Sequence, residues 1–274
     1  MKTFKHEGAP QKLSKMILDK YPEIGYFSLQ KLFRKSDIKV NGKRISTDQT
    51  IFVGDEVVIY FKETEPVFKI LYEDENIFAI YKPKKIASQG EKSLEEKVKA
   101  KYPDYRLCHR LDTNTEGIIL FAKNDVVFEE IKKQFKLKKI EKHYIALVKG
   151  EIKESGFYSD YLIKDSGKSV VRVYREKREN ALKAELSFSP IQIFDGYTKV
   201  DIELLTGRTH QIRAQMAFHG HPVVGDGKYG DEVFNKQMKM HSQALVSYKL
   251  IFHIDSGFLL YLNGKEIILD TIGF

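Results

Sequence analysis

A chain of 274 residues can build one large core or two unequal domains. Hydrophobic residues make up 42% of it and aromatics 12%, enough for a packed interior, yet the longest apolar runs, such as 117–122, are far too short to span a bilayer. Lys and Arg outnumber Asp and Glu by 46 to 38, a net charge of +8 that favours a polyanionic partner, and a single Cys rules out an internal disulfide and fits a reducing, cytoplasmic compartment.

The first ten residues carry charge and no apolar stretch, unlike a signal peptide. Residues 11–62 then read as a small unit. Leu13, Met16, Ile17 and Tyr21 recur at helical spacing, and Ser28 can cap a second helix with Leu29, Leu32 and Phe33 on one face. Ile38 to Val40 alternates like a strand, and Asn41-Gly42 makes a hairpin turn because both residues tolerate positive φ. After a turn at Gly54-Asp55, Val57 to Phe61 reads as a closing strand. Nine basic residues between 11 and 44 face three acidic ones, so this stretch of the small unit carries a net +6. The order of helix, helix and Ile-x-Val-Asn-Gly hairpin resembles the S-four-type, or alpha-L, RNA-binding module. That resemblance implies that Lys12, Lys31, Arg34, Lys35, Lys43 and Arg44 meet RNA phosphates, contacts that position a partner without reading its sequence.

Residues 63–69, with Pro66, read as a linker, and 70–274 as a second domain in which strands dominate. Ile77 to Tyr81 is a short strand ended by Lys82-Pro83, and Ser93 with Glu96 forms a capping box for a helix reaching about Tyr102. Ile118 to Ala122 reads as a buried strand, and Val127, Ile131 and Phe135 mark a helix. Tyr144 to Val148, Val171 to Tyr174, Ala184 to Ile193 and Lys199 to Leu205 follow as strands. Ile212 and Met216 place Thr209 to His219 on a helix with Gly220 at its end, and Gly257 to Leu262 and Glu266 to Leu269 close the chain as strands. Many strands with a few helices predict an α+β fold with a mostly antiparallel sheet.

Three segments carry chemistry. His109-Arg110-Leu111-Asp112 precedes the strand at Ile118; on extended chain Arg110 and Asp112 share a face, setting a cation and a carboxylate side by side. Thr206-Gly207-Arg208-Thr209-His210-Gln211-Ile212-Arg213 gathers donors around a helix start, where free amides favour an anion. Lys142-His143-Tyr144 opens a strand, and its Tyr is a core residue, a stacking ring or a proton handler.

Together with Gly220-His221-Pro222 and Gly225-Asp226, these segments resemble the RluA-type pseudouridine synthases, in order and spacing, along about 200 residues. The resemblance implies that Asp112 is the essential carboxylate, acting on the ribose as nucleophile or as base. It implies that Arg110 fills the stack vacated by a flipped uridine, that Tyr144 stacks on the base or assists proton removal, and that Arg213 pairs with Asp112. Arg208, His210 and Gln211 would hold RNA or the motif itself, and Lys82 would bind RNA. The implied substrate is RNA, ribosomal by preference and transfer RNA as the alternative, and neither metal nor nucleotide cofactor is required. Four positions depart from the family pattern: Glu116 stands for Ser or Thr, Lys84-Lys85 for a small residue and Gly, and Gln89 for His. They bear on substrate identity rather than chemistry.

Other readings are a non-catalytic RNA-binding or ribosome-assembly factor, which would not need Asp112, and a nucleosidase breaking the same bond. The chain has no phosphate-binding glycine loop and no His-x-x-x-His spacing for zinc. The target uridine and the oligomeric state are not legible in it.

Overall fold

The computed structural model describes residues 2–21, 24, 26–61, 68–165, 167 and 170–270, with 26–28 described by their backbone alone. It forms two compact units, Met1–Val67 with Glu96–Pro103, and Phe68–Glu95 with Asp104–Phe274.

The first unit runs β1 (Lys2–Lys5), β2 (Gln11–Lys12), α1 (Leu13–Lys20), α2 (Tyr26–Arg34), β3 (Ile38–Val40), β4 (Lys43–Ile45), β5 (Thr50–Ile51) and β6 (Glu56–Ile59). Four strands form an antiparallel sheet in the order β1-β6-β3-β4, and β2 pairs with β5. The helical spacing of Leu13, Met16 and Ile17 turns them into a core with Ile24, Leu29, Ile38, Ile51, Val57 and Ile59. Full burial of each such Leu or Ile contributes about 1.5–3 kcal/mol. Asn41 and Gly42 take φ of 50° and 80°, as a two-residue hairpin turn with right-handed strand twist requires. The unit does not start at residue 11, as expected: β1 pairs with β6 and supplies the buried Phe4. It also takes in Glu96–Pro103, which chain order could not reveal. The Ser28 cap and residues 63–67 of the expected linker lie outside the described residues. Phe68, also assigned to that linker, is buried with its ring 5.7 Å from Phe78, and so belongs to the second core.

The second unit continues with β7 (Ile70–Glu73), β8 (Ile77–Lys82), α3 (Leu94–Lys99), β9 (Arg106–Leu107), β10 (Glu116–Ala122), α4 (Asp125–Lys136), β11 (Ile140–Lys149), β12 (Gly156–Asp165), β13 (Val170–Tyr174), β14 (Leu182–Phe194), β15 (Tyr197–Leu204), α5 (Gln211–Phe218), α6 (Glu232–Gln237), β16 (Leu245–Phe252) and β17 (Glu266–Ile268); α3 straddles the boundary between the units. An 11-stranded sheet has the order β13-β12-β14-β15-β11-β16-β10-β8-β7, with β17 on β16 and β9 on β10. Every pairing is antiparallel except β10 with β16. α4, capped by the Asn124 side chain on the Val127 amide, packs Val127 and Ile131 onto Ile118, Leu120, Val246 and Leu250. α5 lies over β12 and β13, with Ala214 against Leu162, Val171 and Ala184.

The predicted strand from Gly257 to Leu262 is instead a turn ending in a 3-10 segment, Leu260–Leu262. Leu259 and Leu262, three apart, are both fully buried while Phe258, Leu260 and Tyr261 are exposed, a helical spacing misread as extended chain. The helix expected from Thr209 begins two residues later, after His210 at φ 53°. Among the described residues, no helix is long and apolar enough to cross a membrane.

Candidate active site

The site is assembled by one close approach in the sheet. Gly117 of β10 lies opposite Ser247 of β16, and Tyr144 of β11 lies opposite the same Ser247. A Cβ on Gly117 would stand 2.1 Å from the Ser247 carbonyl oxygen, and φ there is +122°, so only glycine lets the strands meet. The loop before β10 is thereby set beside Tyr144.

That loop is pinned from several sides. The Ser88 hydroxyl accepts from the Leu111 amide at 2.9 Å and donates to the Leu111 carbonyl at 2.7 Å. The Thr115 amide donates to the Asp112 carbonyl at 3.0 Å, and Gln243 donates to the Thr115 hydroxyl at 2.5 Å. Lys82, fully buried, donates to the carbonyls of Pro83, Ile86 and Thr113 at 3.0, 2.7 and 3.1 Å. Burial draws Lys82 down to about 8, against the pull of Asp112 and Glu116. His109 Nε2 accepts from the Leu120 amide at 3.1 Å; burial, with the Lys142 charge adding, lowers this imidazole to about 3 and keeps it neutral.

Asp112 faces Arg213, the third residue of α5 and only 6% exposed. The guanidinium donates through Nε and Nη2 to the two oxygens of Asp226, at 2.6 and 2.9 Å, and through Nη1 to Asp112 Oδ2 at 2.8 Å. Asp226 thus takes the two-pronged grip, and Asp112 is held by a single N–H of Nη1. Burial opposes ionisation of Asp226, but Arg213 and the amides of Lys228 and Tyr229 outweigh it and hold its carboxyl below the usual range. Burial likewise opposes the Arg213 charge, and the two carboxylates overcome it. Asp112 Oδ1 makes no hydrogen bond among the described residues.

The Tyr229 hydroxyl accepts from the Val171 amide at 2.6 Å and lies 2.9 Å from His210 Nδ1. His210 Nε2 stands 4.0 Å from Asp112 Oδ2. Burial lowers the His210 pKa, with Arg213 and Lys228 adding to it and Asp112 opposing, which favours the neutral ring beside Asp112. Tyr144 is buried; burial and the Asp112 charge push its phenol up, so it stays protonated and cannot serve as a phenolate at neutral pH. A cavity of about 210 Å³ opens beside His210, lined by Lys164, Val170, Val171, Thr209 and Lys228.

Asp112, Tyr144, Arg213 and His210 are therefore brought together. Arg110 is exposed two residues from Asp112, with no side-chain hydrogen bond or ion pair among the described residues. Lys82, expected to touch RNA, and Gln211, expected to hold RNA or the motif itself, are both buried. Lys82 has all three N–H bonds on carbonyls of the Asp112 loop and its neighbour. Gln211 is buried, bonded to the Thr206 hydroxyl, the Arg208 amide and the Glu185 carbonyl. It occupies an amide the helix start would otherwise offer an anion. Both clamp the motifs, because a buried polar group must be satisfied inside. Arg208 is exposed, with Nε on the Lys183 carbonyl at 3.0 Å. In the first unit Lys12, Lys31, Arg34, Lys35, Lys43 and Arg44 are all exposed, Arg44 being tied to the Ser36 carbonyl and to Asp37. The departures at 84 and 116 answer each other: Lys84 Nζ lies 3.2 Å from Glu116 Oε1, and Tyr81 donates to Glu116 Oε2. Asp226 and Tyr229 were missed as site residues, although an Arg asked to present a carboxylate calls for a second anchor. Among the described residues no group of three His, Cys, Asp or Glu could hold a metal ion.

Residues 76–218 match the model of a family described as RNA pseudouridylate synthase. A protein of Haemophilus influenzae named ribosomal large subunit pseudouridine synthase C is 32% identical, over 87% of this chain and 81% of its own. Proteins of the same name from Vibrio vulnificus and Escherichia coli are each 31% identical, over 85% and 84% of this chain and 81% and 79% of theirs. Human RNA Pseudouridylate Synthase Domain Containing 1 shares the fold, with a TM-score of 0.59 at 23% identity over 77% of this chain and 94% of that one.

Proposed function

The chain belongs to the RNA pseudouridylate synthase family, of the RluA type, and on that premise we propose that it isomerises uridine in large-subunit ribosomal RNA with Asp112 as the working carboxylate. As an RNA pseudouridine synthase it breaks the glycosidic C–N bond, turns the uracil and forms a C–C bond from carbon five, releasing the hydrogen that carbon five carried. The uridine must leave the stack, at a cost of a few kcal/mol. Arg110, exposed and untethered, is the side chain to fill the gap. A carboxylate must then act on the ribose, as nucleophile at its anomeric carbon or as base beside it.

The observation that carries this reading is the shared guanidinium: Arg213, gripped by buried Asp226, holds Asp112 by one oxygen and leaves the other open. Neutral His210 and protonated Tyr144 flank it without competing for its charge. The exposed basic residues of the first unit supply non-specific affinity for RNA phosphates. The relatives' names support ribosomal RNA as substrate, and the lone Cys108 suits a cytoplasmic setting. The test is a transcriptome-wide map of pseudouridine with the gene present, deleted, and restored as Asp112→Asn. A large-subunit position lost on deletion and not regained with Asp112→Asn is expected. A loss confined to transfer RNA, or rescue by Asp112→Asn, overturns the substrate or the residue respectively.

A further inference from the structure

Lys142 lies on β11 two residues before Tyr144. Its ammonium is 5.5 Å from the centre of the Phe135 ring and 3.4 Å from where a Cβ on Gly207 would stand. His109 is near enough to feel its charge. Among the described residues the ammonium makes no hydrogen bond and no ion pair. Burial alone pulls Lys142 down to about 8, with no carboxylate restoring it. Lys82, drawn equally low, has a carbonyl for each of its N–H bonds. A desolvated cation without an acceptor costs stability and is retained where something else completes it.

Gly207 shows from which side. It takes no left-handed φ, and the one side chain that a Cβ there would touch is Lys142. A side chain there would cover the Lys142 ammonium, and Gly207 and Arg208 are themselves exposed. Lys142 stands two residues before Tyr144 on β11, and Gly207 belongs to the segment that carries His210 and Arg213, so an anion seated there is near the reacting nucleotide. The permanent anion of RNA is its phosphodiester. We propose that Lys142 binds a backbone phosphate of the substrate RNA that enters over Gly207 beside the extruded uridine. This rests on the reading of the chain as an RNA pseudouridine synthase.

The test uses the full chain and an unmodified large-subunit ribosomal RNA transcript carrying tritium at carbon five of uridine. Lys142→Met keeps the apolar stem over Phe135 and removes the charge. Its Kd should rise about tenfold, its log Kd against log salt should flatten by about one unit, and its thermal midpoint should equal or exceed that of the wild type. Lys142→Arg stays charged at all working pH values. Lys142 is charged below about 8 and loses its proton above it, so from pH 7 to 9 wild-type Kd should weaken about tenfold more than that of Lys142→Arg. The groups around Lys142 are Phe135 and Gly207, which do not titrate, and His109, neutral throughout this range; Lys82 titrates in it but is common to both proteins and cancels. The inference is overturned if Lys142→Met keeps the wild-type Kd and salt slope, if its loss lies wholly in the saturated single-turnover rate, which would put Lys142 on the uracil, or if Lys142→Arg follows the wild-type pH curve. A wild-type protein that neither binds this RNA nor releases tritium from it would instead overturn the RNA reading, and this inference with it.

Discussion

At the scale of single residues, Arg213 ties Asp112, the proposed working carboxylate, to buried Asp226. Asp112, Arg213 and Tyr144 stand in motifs dense enough to read. Asp226 did not, because a Gly-Asp pair in a loop also fits a turn, and only the fold brings it 2.6 Å from the Arg213 guanidinium. Lys82 misled for the opposite reason: a Lys beside a motif suggests a ligand, and burial makes it a clamp, while Gln211 holds the motif, one of the two roles expected of it. His109 yields a prediction of the same kind. Its imidazole titrates near 6.5 when unfolded and near 3 when folded, so the unfolded chain binds the extra proton. Stability from His109 is therefore full above about 6.5 and falls as pH drops towards 3, by ~1.4 kcal/mol per pH unit. Lowered His210 adds to the loss below about 6.5, and lowered Asp226 only below its ordinary 3.8. Urea denaturation of His109→Gln between pH 7 and 4 should show a flatter decline than the wild type. Parallel curves would remove His109 from the acid response.

At the scale of elements, the small unit's hairpin and the α4 face were legible because each has one buried side and a clean period. β16 went unread although it is central. It is buried on both faces at Leu245, Val246 and Ser247, and so lacks the alternation that marks a half-buried strand. Its parallel pairing with β10 rests on Gly117, whose importance no period could reveal. Gly117→Ala adds a Cβ 2.1 Å from a backbone oxygen at a φ that L-residues avoid. The strain alone costs about 1–3 kcal/mol, and the clash forces β10 off β16. Chemical denaturation should show a loss of at least ~3 kcal/mol or no cooperative transition. A change below ~1 kcal/mol would mean the strands tolerate separation and the close approach does not set the site.

At the scale of the whole molecule, net charge pointed to a polyanion and placed most of the excess in the first unit. Chain order misjudged that unit's extent, since a segment at 96–103 returns to it. Charge neutralisation is therefore a cleaner probe than truncation. Replacing Lys12, Lys31, Arg34, Lys35 and Lys43 with Gln should weaken RNA binding and flatten its log–log salt slope by about 0.7–0.9 for each phosphate no longer neutralised. An unchanged slope would mean that this unit does not meet RNA. The central claim, that Asp112 performs the chemistry on RNA, is tested most directly by tritium release. Wild type and Asp112→Asn should be compared in single turnover on carbon-five-tritiated RNA containing the mapped uridine. The near-isosteric variant should bind within a few-fold of wild type and lose release by on the order of 10³-fold or more. Release by Asp112→Asn at a rate close to wild type would contradict the account.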